Sequence, residues 1–317
     1  MSAEKTAVLL LAHGSPERAE DVPAFLRNVT SGRAVPAEVL QEVQHRYELI
    51  GRSPLREITE KQAAALRRRT EMPVYVGMRN WTPYIADVVA QMATDGVTRA
   101  AAICLAPQNS RTSVGLYRRA AFAGAGDKLR LEFVESWHDH PLLVAAFAEK
   151  LAAAWSAACA RANARIPVIF TAHSVPERTI EAGDPYEKQA KETAALVAAR
   201  LPELAPELWR FAFQSQGMSG GKWLGPTVEE PILELKAAGH REVLVQPIGF
   251  VCDHIEVLYD IDIGFTKFAR ENRMELTRTD SLNDSALFID ALAALAQNTL
   301  ESAEAKETMP AARRARS

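Results

Sequence analysis

Two groups of residues in the 317-residue chain have types and spacings able to do chemistry. His173 lies in Thr171-Ala172-His173-Ser174-Val175-Pro176, just past a strand-like run, where a core histidine has little reason to sit. An imidazole at such a loop position serves as a base titrating near neutrality or as a metal ligand. The second group lies in the run from Phe250 to Asp260. If a helix begins at Asp253, then Asp253, Glu256 and Asp260 fall three and four residues apart on one face. The plainer alternatives are an incidental loop histidine and a helix cap with acids in its first turn. A cap accounts for Asp253. It accounts less well for Glu256 and Asp260, whose like charges repel unless a cation or a proton relieves them. Histidine plus carboxylate without thiolate suits a divalent ion of intermediate softness such as Fe(II), held weakly and passed on. A permanent structural zinc site would require a closed set of four ligands.

The elements that must position these residues are short apolar runs bounded by turns: Ala7–Leu11, Val74–Gly77, Ala100–Ala106, Leu131–Glu135, Val168–Ala172, Arg210–Phe213 and Glu242–Pro247. Stretches of helical period separate them, as in Pro83–Thr94, where Ile85, Val88, Val89 and Met92 share a face. Strand alternating with helix predicts an α/β fold of parallel sheets covered on both faces. An internal repeat sharpens this. VLLLAHGSPERAED from Val8 is echoed by VIFTAHSVPERTIEAGD from Val168, so that His13 and His173 correspond half a chain apart. A second element from Val74 is echoed from Phe211 in the order strand, Trp-Pro turn, amphipathic helix, turn and strand. The expectation is two similar doubly wound, Rossmann-like lobes with parallel four-stranded sheets, at residues 1–150 and 151–302. Residues 303–317 form an expected disordered tail. Ligands of such sheets bind beyond the carboxyl ends of the strands, which places His13, Pro107, His173 and the segment after Pro247 around one interlobe cleft.

Composition removes several classes of function. With 48% hydrophobic and 24% charged residues the chain can bury a core, and its net charge of −3 gives no general affinity for nucleic acid. Cys104, Cys159 and Cys252 are too few and too scattered for an iron–sulfur or structural zinc site. The N-terminus has no leader signature, and no uncharged run is of spanning length, so a cytoplasmic protein without stable membrane insertion is expected. No P-loop or dinucleotide fingerprint follows a strand.

The chain resembles the ferrochelatases along nearly its whole length, through LLLAHGSP, GRSPL, LAP, VESWHDHP, TAHSVPER, GDPY, FQSQG, WLGPTVEE and PIGFVCDHIEVLYDID. The block Arg46-Tyr47-Glu48-Leu49-Ile50-Gly51-Arg52-Ser53-Pro54 is most similar to the bacterial branch that uses coproporphyrin III. The resemblance implies a lyase of haem biosynthesis that inserts Fe(II) into a porphyrin, with His173 and Glu256 carrying metal delivery and proton removal. Asp260 and His13 are additional candidate metal ligands. His13, Arg46, Tyr47, Ser53 and Tyr117 then correspond to porphyrin-contacting positions, with Thr30 a further candidate. Three departures stand out: His13 replaces a tyrosine common in that branch, Thr30 stands where a base often meets a propionate, and Gly264 replaces an acid of the carboxylate row. No tightly bound cofactor is expected, since iron is a substrate and no C-terminal cysteine cluster is present. A monomer acting on porphyrin and ferrous iron, with transient haem-pathway partners, is the resulting picture. His173 is expected to start neutral and to accept pyrrole protons or share iron, with Glu256 as counter-charge. The competing readings are a protoporphyrin IX ferrochelatase, a sirohydrochlorin or cobalt chelatase, and a non-catalytic haem carrier. The polar segment between Gly32 and Pro54 favours a water-soluble porphyrin.

Overall fold

The computed structural model describes residues 4–126, 129–217 and 221–308. Its eight strands form two parallel four-stranded sheets. The first contains β1 (Thr6–Ala12), β2 (Val74–Met78), β3 (Arg99–Cys104) and β4 (Arg130–Val134), in the order β2-β1-β3-β4. The second contains β5 (Val168–His173), β6 (Trp209–Gln214), β7 (Glu242–Pro247) and β8 (Glu275–Arg278), in the order β6-β5-β7-β8. The two orders are the same arrangement repeated, as the duplicated sequence predicts. Covered on both faces, β1 is an almost continuous apolar run with every residue from Ala7 to Ala12 buried. Seven strands fall at the apolar runs. The eighth, Glu-Leu-Thr-Arg, buries only Leu276 and carries no apolar run to announce it.

The duplication extends to local hydrogen bonding. After β2 the chain returns so that Met78 N donates to Pro83 O at 2.7 Å, and at β6 Phe213 N donates to Pro226 O at 2.8 Å. The halves nevertheless exchange helices. The helix Pro141–Ala162 follows β4 but packs on the helix Tyr186–Ala198 and on β7, while the last helix, Ala286–Thr308, returns to the helix Leu55–Thr70 and to β3 and β4. One apolar core therefore joins Val8, Leu10 and Ile103 to Phe170, Phe213 and Leu244 through Trp137, Phe147 and Phe288. Residue 150, the expected boundary, falls inside Pro141–Ala162, because the apolar face of that helix is buried against the second half. The helix that crosses back continues past 302 to Thr308, which corrects the expected start of the tail. Residues 309–317, with Arg313, Arg314 and Arg316, lie outside the described residues. Pro141–Ala162 is also the one described helix long and apolar enough to cross a membrane, and Leu143, Val144, Phe147, Leu151 and Trp155 bury it in this core.

Where β5 and β7 end, Gly249 brings two backbones together. A Cβ at this position would lie 2.8 Å from the Cβ of Ala172 and 2.9 Å from its Cα. Gly249→Ala is therefore expected to lower stability by about 1–3 kcal/mol through overpacking beside His173. Urea melts of the variant test this, and an unchanged midpoint would show that the strand ends can separate without cost.

Candidate active site

His13 and His173 sit at the carboxyl ends of β1 and β5, and the repeat gives them the same anchor. In each half the ring Nδ1–H donates to the carbonyl of the next residue, Gly14 O at 2.9 Å and Ser174 O. Each Nε2 is thereby left for another partner. The partners differ: Nε2 of His13 meets Nδ2 of Asn80 at 3.0 Å, and Nε2 of His173 lies 3.5 Å from Oε1 of Glu256. Solvent reaches about a third of the His173 and Glu256 side chains, yet the cleft walls replace much of their bulk water.

The pKa values of the two histidines move in opposite directions. Solvent reaches the His13 side chain, yet the protein packed around it lowers its pKa, and the opposing pull of Glu256 does not restore it. Burial also works against the charged form of His173, but the charge and hydrogen bond of Glu256 outweigh it and raise the pKa to about 9. The pairing with Glu256 thus favours the protonated form of His173, the opposite direction from a histidine that starts neutral. Burial opposes the ionised form of Glu256 as well, and His173 and His254 together hold its carboxyl well below the usual range.

His254 is the residue that sequence reasoning missed. Its Nε2 lies 3.4 Å from Oε2 of Glu256, and its Nδ1 lies 3.0 Å from Cys252 O. On a helix, residues two apart point away from each other. Here His254 is extended (φ −162°, ψ −177°) and the helix begins only at Ile255, so its ring turns onto the Glu256 carboxylate. The Asp-His-Ile-Glu run was the available signal.

The acidic row is shorter than expected. Asp253 precedes the helix and faces away, accepting from Ser281 Oγ at 2.7 Å and Asn283 Nδ2 at 2.9 Å, with Arg278 Nη1 3.3 Å away. It is a brace for the loop and does not share a face with Glu256. After the short helix Ile255–Leu258 the backbone widens into a π-helix, Asp260–Phe265, a form often found at functional sites. Asp260 accepts from the Ser215 hydroxyl, and burial, opposed by that hydrogen bond and aided by Glu256, raises its pKa to about 6. Gln214 Nε2 donates to the backbone oxygen of Glu256 at 2.9 Å, so the end of β6 holds both acids.

The expected porphyrin contacts are placed unevenly. Arg46 is stacked 4.7 Å from the Tyr259 ring centroid, with Nε 2.8 Å from Glu42 Oε1 and Nη1 3.6 Å from Asp260 Oδ1. A propionate must compete with those carboxylates for it. Tyr47 and Ser53 are buried, both bonded to Ser15 Oγ, at 2.7 and 2.9 Å. They brace the wall behind the cleft. Tyr117 is buried beneath Arg79, and Thr30 spends its hydroxyl on Arg33 O at 2.8 Å. Among the described residues no three His, Cys, Asp or Glu side chains are grouped so as to hold a metal ion; His173, Glu256 and His254 form an ion-paired cluster.

Solved structures share this architecture at low identity. The sirohydrochlorin chelatase of Bacillus subtilis subspecies spizizenii, in complex with cobalt, matches with a TM-score of 0.55 at 13% identity, covering 95% of this chain and 97% of that one. What is shared with those structures is the fold, two parallel α/β halves, and here the carboxyl ends of the second sheet bring a histidine against a carboxylate. The ferrochelatase family model matches residues 5–300, and the chain belongs to that family of metal-inserting lyases. A ferrochelatase of Acidobacterium capsulatum is 55% identical, covering 96% of this chain and 97% of its own. A ferrochelatase of Deinococcus radiodurans is 38% identical over 91% and 94%, and a coproporphyrin III ferrochelatase of Geobacillus kaustophilus is 35% identical over 92% and 95%.

Proposed function

We propose that this ferrochelatase inserts Fe(II) into coproporphyrin III in the cytoplasm, acting as a monomer with iron as substrate and no resident cofactor. The observation that carries the metal-inserting step is the His173–Glu256 ion pair, with His254 behind it and the neutral His13 in the same cleft. At this ion pair a proton on His173 neutralises Glu256. A divalent ion at Glu256 takes over that role, so metal and proton compete for one pair and the arriving metal releases the proton. His173 then becomes neutral when a base is needed. Of the two pyrrole protons displaced as the ring nitrogens close on the metal it accepts one, while the other passes to the carboxylate that the metal has left and from there to water. Asp260 neighbours Glu256, and an acid with a pKa of about 6 both takes and gives up a proton near neutrality. Binding energy from the distant propionates supports bending of the macrocycle, which exposes the nitrogen lone pairs.

The preference for coproporphyrin III is supported by the lip, where Arg33, Glu38, Gln41, His45 and Glu48 are exposed and suit a water-soluble tetra-acid. Leu49 is the large apolar exception, 49% exposed. Similarity to relatives named for that substrate supports the same reading. Anaerobic Fe(II) insertion with coproporphyrin III and protoporphyrin IX in matched detergent tests it. The expected preference is at least about tenfold in kcat/KM, the equivalent of one charged contact contributing roughly 1.5 kcal/mol. Equal efficiency would sink the substrate assignment, and stoichiometric binding without turnover would identify a haem carrier instead.

A further inference from the structure

We propose that Arg79 binds a carboxylate of the tetrapyrrole, giving the first half of the molecule a charge site for the substrate; this rests on the tetrapyrrole reading above. Arg79 follows β2, and its backbone N donates to Ala12 O at 3.0 Å, which fixes it beside His13 at the carboxyl ends of the strands. Its guanidinium carbon lies 5.9 Å from the Tyr117 ring centroid, and Nε donates to Asn80 Oδ1 at 3.2 Å. The side chain is half-buried, and among the described residues no carboxylate pairs with it. Burial weighs most against its charge, Tyr117 works the other way, and the neighbouring Arg119 adds to the burial.

A cation partly stripped of water without a counter-ion is costly, and an arriving anion removes that cost. Of the other arginines near the site, three have carboxylate partners. Arg46 has Glu42 and Asp260, Arg278 has Asp262 at 2.7 Å and Asp253, and Arg52 has Glu17 and Glu57. On the lip, Arg27 Nε donates to Pro23 O at 3.4 Å and Arg33 Nε to Thr30 O at 3.0 Å, both at exposed positions. Arg79 differs from these exposed arginines, and from its exposed neighbour Arg119, in being half-buried, so among them its charge gains most from a ligand. A planar guanidinium with both terminal nitrogens open matches a carboxylate in two-point geometry, and a substrate with four propionates carries such groups around its rim.

An alternative role is to hold Asn80, and through it His13, without touching substrate. Arg79→Gln separates the two, because it retains an N–H donor for Asn80 and removes only the charge. Arg79→Lys retains the charge. Binding is measured in metal-free protein by fluorescence quenching, with coproporphyrin III and its tetramethyl ester in matched detergent at two ionic strengths. Circular dichroism checks the fold. The parent should bind the acid more tightly than the ester. Arg79→Gln should weaken the acid about tenfold or more, the scale of a lost charged hydrogen bond, while leaving the ester unchanged and flattening the salt dependence. Arg79→Lys should keep most of the acid affinity. Parent-like binding of the acid by Arg79→Gln, or equal loss for acid and ester, would overturn the assignment. A parent protein that binds neither form would instead overturn the tetrapyrrole reading, and this assignment with it.

Discussion

Replacing His173 by alanine is expected to cut metal insertion by at least roughly a hundredfold, the scale of losing a positioned proton acceptor. The fold should survive. The contact that His173 makes with the helix Tyr186–Ala198 is through its backbone, the Tyr186 hydroxyl donating to His173 O at 2.9 Å, and alanine keeps that carbonyl. Porphyrin affinity should also stay close to that of the parent, since the propionate-binding groups lie on other elements. Single-turnover insertion and porphyrin fluorescence quenching measure the two separately. Turnover above about a tenth of the parent, a barrier change under about 1.4 kcal/mol, would show that His173 is not the principal base.

Glu256→Gln should be comparably damaging, because it keeps shape and removes the charge that two histidines surround. It carries a second expected result. The raised pKa of His173 depends on Glu256, so in the variant the His173 resonance should titrate well below 9. The sign for stability follows from the same shift. A histidine whose folded pKa is raised contributes stability that is fully present below its unfolded value near 6.5 and is lost as pH rises through about 9. Glu256 contributes in the other direction, through a depressed pKa whose benefit is present above about 4.5 and lost as pH falls. The parent should therefore lose melting temperature between pH 6.5 and 9 more steeply than Glu256→Gln, while Asp260→Asn should impair turnover less than Glu256→Gln. Parallel melting curves, or equal damage from the two acid variants, would contradict the assigned roles.

Much of the architecture was legible in residue order because it rests on local periodicity. The echo of VLLLAHGSP in VIFTAHSVP marked two equivalent halves, and strand alternating with helix implied parallel sheets whose strand ends share a cleft. His173 and Glu256 stood out for the same reason, as polar residues just past apolar runs. What the residues at those positions do was decided by groups far away in the chain. His13 and His173 share a motif and a carbonyl anchor, yet desolvation prevails at His13, which meets Asn80, while the close Glu256 carboxylate outweighs it at His173, so their pKa values move in opposite directions. His254 joins the site because its backbone is extended, Asp253 leaves it because Arg278, Ser281 and Asn283 claim its carboxylate, and Arg46 faces Asp260 across the cleft. The helix exchange that defeated a boundary at residue 150 is of the same kind, since an apolar face does not specify which half will cover it. Periodicity is read from neighbours in sequence, whereas charge state and pairing depend on distances of a few ångströms and on local water. Those are set only when the chain closes on itself.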